Sequence, residues 1–362
     1  MVVFMKGMDK KEILLWVFIA ILILLRLFDA RRSFENGQVV VLKGIIHSEP
    51  IQYEYSRRVV LHGFKIYLDP VPKVEYGDYI EVSGVVEDDK LENAVLIDLE
   101  ETKNPIYQLR AKLFRFYKSA LPEPDSSLVA GMVLGAKAGM SQDFWEALKL
   151  SGTVHVVVAS GMNVTLVAGF LMAVLILVIP RRKAVLFAII GVWIYAMLSG
   201  FDAPIVRAAV MGTIGFSAIF LGRINYAYRA LFLSAGIMLI FYPLWIYDLG
   251  FILSFSATLS LMLFERRINK WSRVIPGIFR EGFSTSVAAQ ILVAPILVFA
   301  FGSVNVLSPV INALILWTVP IVTVVGMISG IASLLAYEPA RLILLLDYPL
   351  TRWFIFVVEV FS

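Results

Sequence analysis

The stretch VHVVVASGMNVTLVAGFLMAVLILVI, residues 154–179, contains no Asp, Glu, Lys or Arg. A helix needs about 20 consecutive, mainly apolar residues to cross roughly 30 Å of hydrocarbon, so this stretch predicts a membrane span. The other mainly apolar segments are residues 13–28, 184–198, 205–221, 230–241, 244–264, 283–301, 304–337 and 342–361, of which 304–337 is long enough for two spans. We therefore expect a polytopic α-helical membrane protein with eight to ten spans.

The composition fits a chain that lies in lipid. Of its 362 residues, 59% are hydrophobic and 17% are charged, whereas soluble domains contain about 25% charged residues. The chain has no cysteine and three histidines. This excludes disulfides, thiolate metal sites and a cysteine nucleophile, and it makes a histidine-rich metal centre an unfavourable interpretation. We expect no metal and no other cofactor.

The first apolar segment, residues 13–28, follows three lysines, as the apolar region of a signal peptide does. However, residues 26–32 do not contain a small-residue cleavage motif. We therefore expect residues 1–36 to form a retained anchor span.

Residues 37–104 differ from the rest of the chain. Short β-branched or aromatic runs alternate there with turn signals such as Tyr76-Gly77-Asp78; the runs are residues 39–42, 58–62, 64–68, 79–86 and 94–99. Five strands in so short a segment predict a small Greek-key β-barrel of the OB type, with an SH3-like barrel as the alternative. Residues 38–103 contain 13 Asp and Glu against 7 Lys and Arg, so this domain is acidic in a chain of net charge +4.

Basic residues are unevenly distributed between the loops that join the predicted spans. They cluster in residues 181–183, 223–229 and 265–280, whereas residues 200–204, 242–248 and 302–305 contain no Lys or Arg. Cytoplasmic loops are enriched in Lys and Arg. We therefore expect a multi-pass protein of the plasma (inner) membrane, with a cytoplasmic N-terminus and an extracytoplasmic β domain. Residues 105–150 predict amphipathic helices at the membrane surface, and residues 151–362 form the main membrane domain.

Polar or small residues recur every four positions at the start of that domain, at Ser151, His155, Ala159 and Asn163. On a helix they form one polar stripe, and polar groups at membrane depth usually face the bundle interior or a water-filled cavity. Ser160 with Gly161 favours a broken helix that lines a cavity. The alternative is that His155 only forms a hydrogen bond between helices.

Further polar residues lie in or beside the later apolar segments. Asp202 can cap the helix that contains Arg207, and a guanidinium there requires a partner, for which Asp202 and Asp248 are candidates. A structural ion pair and a phosphate contact are equally compatible with this pattern. The candidate channel-lining residues are His155, Ser160, Asn163, Asp202, Arg207, Asp248, Ser254, Gln290 and Asn312. Serines and amides of this kind also occur at tight helix contacts, which is the competing interpretation.

The β domain interleaves aromatic and basic residues, as proteins that bind single-stranded nucleic acid do. The residues are Tyr53, Tyr55, Arg57, Arg58, Lys65 and Tyr67. The acidic balance of the domain opposes general nucleic-acid binding and favours a docking or positioning role. No phosphate-binding loop and no nucleophile elbow occurs in the sequence, so we expect no enzymatic activity and no catalytic residues.

Together these blocks resemble the ComEC family, inner-membrane competence proteins that form a channel for incoming single-stranded DNA. The resemblance covers residues 109 to about 335 and rests on the order of Leu134-Gly135, Ser151-Gly152-x-x-His155, Ser160-Gly161-x-Asn163, Pro204-Ile205-Val206-Arg207-Ala208, Asp248-x-Gly250-Phe251-x-Leu253-Ser254-Phe255, Ala289-Gln290, Pro295 and Asn312. An OB-type domain after the N-terminal membrane segment is also similar to the family, although many members have more than one span before it.

The resemblance implies a channel that translocates single-stranded DNA into the cytoplasm during natural transformation. It further implies a DNA receptor outside the cell and a helicase or motor inside it. Larger members end in a metallo-β-lactamase-like domain, whose histidine ligands do not occur after His155. We therefore expect a form without that domain, with a separate nuclease or a longer native gene. The alternatives are a permease for another anionic solute, or an envelope scaffold that docks a partner through the β domain.

Overall fold

The structure, a computed structural model of the chain, describes residues 10–30, 36–46, 50–52, 55–88, 90–137, 139–157, 161–201, 203–220, 227–302 and 304–362. Helix α1 comes first, followed by six strands. These elements are α1 (Lys10–Ala30), β1 (Val39–Ile45), β2 (Ile51–Gln52), β3 (Arg57–Leu61), β4 (Phe64–Leu68), β5 (Tyr79–Glu87) and β6 (Lys90–Glu100).

The helices that follow the sheet contain most of the remaining described residues. They are α2 (Pro105–Ala120), α3 (Asp125–Leu134), α4 (Gln142–Leu150), α5 (Val154–Val157), α6 (Gly161–Val178), α7 (Arg181–Leu198), α8 (Ala203–Phe220), α9 (Ala227–Phe241), α10 (Leu249–Trp271), α11 (Gly277–Phe301), α12 (Ser308–Ile315), α13 (Val319–Ser333), α14 (Tyr337–Leu344) and α15 (Tyr348–Val360). Short 3-10 helices lie at Pro243–Tyr247, Ser272–Val274 and Leu345–Asp347.

The strands form one six-stranded sheet with the order β1-β5-β6-β4-β3-β2. All neighbours are antiparallel except β4 and β6, which pair in parallel through Lys65 with Lys90 and Ile66 with Leu91. Along β5, buried and half-buried residues alternate, which is the period of a strand with one face on a core. The five predicted strands are confirmed, and the two-residue strand β2 is additional.

The predicted closed barrel is wrong, because the sheet is open. Strands β1 and β3 contact each other, but no backbone ladder joins them among the described residues. At this gap the His62 ring donates a hydrogen bond from Nε2 to the carbonyl oxygen of Lys43, at 2.9 Å. A side chain thus binds a carbonyl that a neighbouring strand would bind in a closed barrel.

Helix α3 lies at the centre of the helical part. All ten of its residues are buried, and it ends at Gly135, whose left-handed φ of 67° favours glycine. The largest core cluster surrounds it with apolar residues from α2, α4, α5, α12, α13, α14 and α15. Two smaller clusters join α6, α7 and α8, and then α8, α9 and α10.

Two glycines allow α13 to approach the helices beside it. A Cβ on Gly326 would lie 2.7 Å from the Val133 side chain, and a Cβ on Gly330 would overlap the hydroxyl of Tyr117. This Gly-x-x-x-Gly spacing is typical of close helix contacts in membranes. In the same contact, Tyr117 Oη donates a hydrogen bond to the Gly326 carbonyl oxygen at 2.9 Å.

Three helices among the described residues are long and apolar enough to cross a membrane, which is fewer than the predicted eight to ten. They lie at Val154–Val178, Leu249–Val274 and Gly277–Phe301, and the bent pair α12–α13 makes a fourth if it counts as one span. The spans were predicted from runs of apolar residues alone, whereas a membrane span also requires a helix without a break. Within residues 304–337, for example, α12 and α13 meet at 47°, and Pro320 lies in the first turn of α13.

Helix α2 packs against protein on the face that the sequence assigned to a membrane surface. Its buried residues are Tyr107, Arg110, Leu113, Phe116, Tyr117 and Ala120. The cause lies in the partners that the sequence does not show, because α3 and α13 cover this face. Lys112 and Arg115 are on the opposite, exposed face.

The junction between sheet and helices is built around Arg110. Its Nε donates to the Leu198 carbonyl oxygen at 2.6 Å and its Nη2 donates to that of Leu134 at 3.4 Å. Its Cζ lies 4.3 Å from the ring centroid of Tyr76, and Tyr76 Oη donates to the Met197 carbonyl oxygen at 2.7 Å. These bonds satisfy carbonyl groups at the C-terminal ends of α3 and α7, where a helix leaves them unpaired.

Candidate functional site

Arg207 lies on α8, one turn after Ala203 and Pro204 begin the helix. The rest of the first two turns is apolar, with Ile205 fully buried and Val206 nearly so. Its guanidinium lies between α8 and α10, where it contacts Ser254 and Phe255. It is the cation that the sequence predicted within an apolar span.

The guanidinium of Arg207 has neutral partners. Its Nε donates to Ser254 Oγ on α10 at 2.6 Å, and its Nη1 lies 3.5 Å from the Met211 sulfur. Its Cζ is 5.9 Å from the ring centroid of Phe255. Two of the nine candidate channel-lining residues, Arg207 and Ser254, are therefore in direct contact.

No Asp or Glu of the described residues forms an ion pair with Arg207. Asp248, one of the two predicted partners, is exposed and instead accepts a hydrogen bond from the Phe251 backbone N–H at 2.7 Å. It caps α10, as Asp residues commonly do at helix N-termini. Asp202, the other predicted partner, lies outside the described residues. The positive charge of Arg207 thus has no compensating carboxylate in the described part of the chain.

Asn163 on α6 packs against a different helix from the one that Arg207 contacts. Its side chain is fully buried, and its Nδ2 donates to the Met132 carbonyl oxygen of α3 at 2.8 Å. The hydroxyl of Tyr195 lies beside Asn163 and Ser199. Asn163 is therefore a contact between α6 and α3 in this conformation.

Asn312 joins α12 to α11. Its Nδ2 donates to Ser286 Oγ and, at 3.4 Å, to Ser308 Oγ. Because its side chain is 1% exposed, this amide also lies inside a helix contact. Such amide–serine bonds are typical of interhelical packing in membranes.

Gln290 lies in an open groove of about 800 Å³ on one face of α11. The groove is lined by Val287, Gln290, Ile291, Ala294, Pro295, Val298 and Phe299. Pro295 lies inside the helix and removes one backbone donor. The groove is separate from the contacts of Arg207, so Gln290 and Arg207 do not share a site in this conformation.

His155 and Ser160 complete the account of the first polar stripe. His155 is exposed, and its Nδ1 donates to the Gly152 carbonyl oxygen at 3.0 Å. Ser160 lies outside the described residues. The structure thus brings Arg207 and Ser254 together and places His155, Asn163, Asp248, Gln290 and Asn312 at separate positions.

In the β domain, three of the six predicted DNA-contact residues share the outer face of β3 and β4. Arg58 pairs with Tyr67 across the two strands, and Lys65 pairs with Val60. Arg57 instead points into the domain, where it is 8% exposed and its Nη1 donates to the Pro72 carbonyl oxygen at 3.3 Å. Tyr55 is exposed in the turn before β3, and Tyr53 lies outside the described residues.

Sequence reasoning missed two residues that shape these regions. Gly161 contacts the guanidinium of Arg207, and a single glycine in an apolar segment gave no signal for that role. Arg110 did carry a signal. Together with Tyr107, Leu113 and Tyr117 it recurs every three or four residues, which places it on the apolar face of α2.

Comparison with known proteins adds information on descent. A family model described as "Competence protein" matches residues 132–362. The chain is 26% identical over 237 residues to "ComE operon protein 3" of Bacillus subtilis (strain 168), which covers 65% of this chain and 30% of that protein. It is 26% identical over 226 residues to "Competence protein ComA" of Neisseria gonorrhoeae, covering 59% of this chain and 31% of that protein.

A third relative is an uncharacterized protein of Aquifex aeolicus (strain VF5). It is 28% identical over 287 residues, which covers 72% of this chain and 67% of that protein. The chain thus spans about a third of the length of the two named relatives. No solved structure matches it.

Proposed function

The chain belongs to the ComEC family of competence proteins, and on that premise we propose that it forms a membrane channel for single-stranded DNA. In this proposal DNA passes from outside the cell into the cytoplasm during natural transformation. The protein lies in the plasma (inner) membrane as a multi-pass protein, with its N-terminus in the cytoplasm and its β domain outside. It transports DNA and performs no chemistry on it.

One observation carries the proposal at the level of residues. Arg207 holds a positive charge among apolar helices, and its partners in the described part of the chain are neutral. Ionisable groups at membrane depth commonly mark substrate pathways. A guanidinium without a carboxylate has donors left for a phosphate oxygen. A single such cation would bind each passing phosphate weakly enough to release it.

The energy for movement has to come from a partner in this proposal, since we assign no nucleotide hydrolysis to the chain. The family resemblance provides the candidates, which are a DNA receptor outside, a helicase or motor in the cytoplasm and a separate nuclease. The outer face of β3 and β4, with Arg58, Lys65 and Tyr67, is the part of the β domain that we propose faces the DNA.

The absence of cysteine from the chain allows a direct test with single-cysteine variants. Ser254 and Ser260 are both serines of α10, but Ser254 binds Arg207 whereas Ser260 is fully buried and donates to the Ala288 carbonyl oxygen at 2.5 Å. We expect a water-soluble, negatively charged thiol reagent to label Ser254→Cys in cells. Ser260→Cys is the matched control and stays unlabelled.

Labelling of Ser254→Cys should also block transformation by added DNA, because the adduct places a negative charge beside Arg207. The proposal is overturned if Ser254→Cys is as unreactive as Ser260→Cys. That result would favour the rival function of an envelope scaffold, which the buried amides of Asn163 and Asn312 also fit.

A further inference from the structure

Gly161 is the residue of α6 that lies against the guanidinium of Arg207. A Cβ built on Gly161 would lie 2.8 Å from Arg207 Nη2, a separation that real Cβ atoms do not show. Its next neighbour, the Cβ of Ala208, would be at an ordinary 3.5 Å. Arg207 can therefore occupy its observed position only if residue 161 has no side chain.

Besides the Met211 sulfur on its own helix, the guanidinium contacts two residues of α10. Ser254 Oγ accepts from Nε at 2.6 Å, and the Phe255 ring lies 5.9 Å from Cζ. The charge is thus held among three helices, α6, α8 and α10. Filling the space above Gly161 would move Nη2, while the bond from Nε to Ser254 holds the adjacent N–H of the same planar group.

We propose that Gly161 is a positioning residue, whose missing side chain sets where Arg207 presents its charge to a phosphate of the DNA. This inference rests on the proposed function, because it assumes that Arg207 contacts phosphate. It assigns a role to Gly161 that is independent of backbone flexibility.

The backbone of Gly161 does not itself require glycine. Its φ is outside the left-handed region, unlike that of Gly152 at +72°. Alanine is also more favourable than glycine in a helix. Because the clash of a new methyl group is with the tip of a flexible side chain, Gly161→Ala should fold and displace only the guanidinium.

The chain offers two comparisons for this substitution. Gly169 lies on the same helix, and a Cβ there would meet nothing within 4 Å, so Gly169→Ala is the matched control. Gly282 has the opposite character, because a Cβ there would lie 3.0 Å from the Asn312 carbonyl oxygen and 3.1 Å from Ala313 Cα. Gly282→Ala forces the backbones of α11 and α12 apart, so it serves as the control for a loss of structural stability.

The experiment measures binding of a fluorescent oligothymidine to the purified full chain in lipid nanodiscs, as a function of salt concentration. For single strands the logarithm of the binding constant falls with the logarithm of salt by about 0.7 per phosphate neutralised. We expect Gly161→Ala to weaken binding about tenfold, as loss of one charge-assisted contact does. The salt slope should become shallower by about 0.7.

The double variant Gly161→Ala/Arg207→Ala should bind no more weakly than Arg207→Ala alone, since both changes remove the same contact. Gly169→Ala should bind as the unchanged chain does. The inference is overturned if Gly161→Ala keeps the original affinity and slope while Arg207→Ala loses both. The unfolding temperature of each variant is also measured, and we expect Gly282→Ala to lower it. The inference is overturned if Gly161→Ala lowers the unfolding temperature as much as Gly282→Ala does. If Arg207→Ala itself binds normally, the proposed function fails instead.

Discussion

Two arginines lie between helices of this protein, and their surroundings differ in kind. Arg110 donates to carbonyl oxygens at the ends of α3 and α7 and stacks on the Tyr76 ring. Arg207 donates to one serine hydroxyl and approaches a methionine sulfur and a more distant ring. Arg110 thus satisfies groups that the fold leaves unpaired, whereas the partners of Arg207 among the described residues are not helix-end groups.

These two sets of partners distinguish a structural cation from a candidate functional one. A cation that completes helix ends contributes to stability, because its removal leaves buried carbonyls without donors. A cation that donates to a serine hydroxyl leaves no helix-end carbonyl without a donor when it is removed, so its loss should reduce stability less. The comparison therefore predicts opposite phenotypes for the two arginines.

The largest expected effect is on transport. Arg207→Ala should abolish transformation while the protein remains in the membrane at its normal amount, because the proposed phosphate contact is lost and no helix end is left unpaired. Asn163→Leu should also abolish it, since the amide that joins α6 to α3 beside Gly161 is removed. Colony counts after addition of DNA, with immunoblots of membrane fractions, measure both. Normal uptake in both variants would contradict the assignment.

The next effect is on stability. Arg110→Ala should lower the free energy of unfolding by about 3 kcal/mol, because two helix-end carbonyls lose a charged donor. Unfolding of the purified protein in detergent, followed by circular dichroism, checks this value. Arg207→Ala serves as the comparison and should change stability by less than Arg110→Ala does. Equal losses in the two variants would remove the distinction between the arginines.

A smaller effect is expected at the same junction from Tyr76→Phe. This change keeps the ring that Arg110 stacks on and removes only the hydrogen bond from Tyr76 Oη to the Met197 carbonyl oxygen. We expect a loss of about 1 kcal/mol in the same unfolding measurement. A loss as large as that of Arg110→Ala would show that the tyrosine, and not the arginine, holds the junction.

The smallest effect is a pH dependence next to that tyrosine. Burial raises the pKa of Asp78 above its ordinary value of 3.8, although hydrogen bonds from the backbone N–H groups of Glu75 and Thr102 act in the opposite direction. Its contribution to stability is therefore fully present below pH 3.8 and is lost as the pH rises through the raised value. Relative to Asp78→Asn, the unchanged protein should lose stability over that range in pH-dependent unfolding. A constant difference between the two would contradict the shift.

The sequence predicts the strands and helices better than it predicts whether the sheet closes into a barrel or which distant residues are in contact. The strands around Ile66 and Val82 were visible because their alternation is a local property. The open edge beside Lys43 was not, since it depends on how His62 is placed across the sheet. In the same way, the apolar content of residues 304–337 predicted membrane-spanning helices. The bend between α12 and α13 leaves neither of these two helices long enough to span a membrane alone.

The site shows the same limit. Arg207 stood out because a charge in an apolar segment is costly wherever it lies. Its partner Ser254 and its neighbour Gly161 come from helices that are distant in sequence, so only packing identifies them. Asp248 was a candidate partner for the charge of Arg207. In the structure its carboxylate caps its own helix, α10, instead.

Helix α2 is fastened at two places, by Arg110 to the ends of α3 and α7 and by Tyr117 to α13. Because Arg110 also stacks on the Tyr76 ring of the β domain, α2 connects that domain to the helices. Displacing the sheet relative to the helices would strain these bonds, so we expect the sheet, α2 and the ends of α3 and α7 to move together.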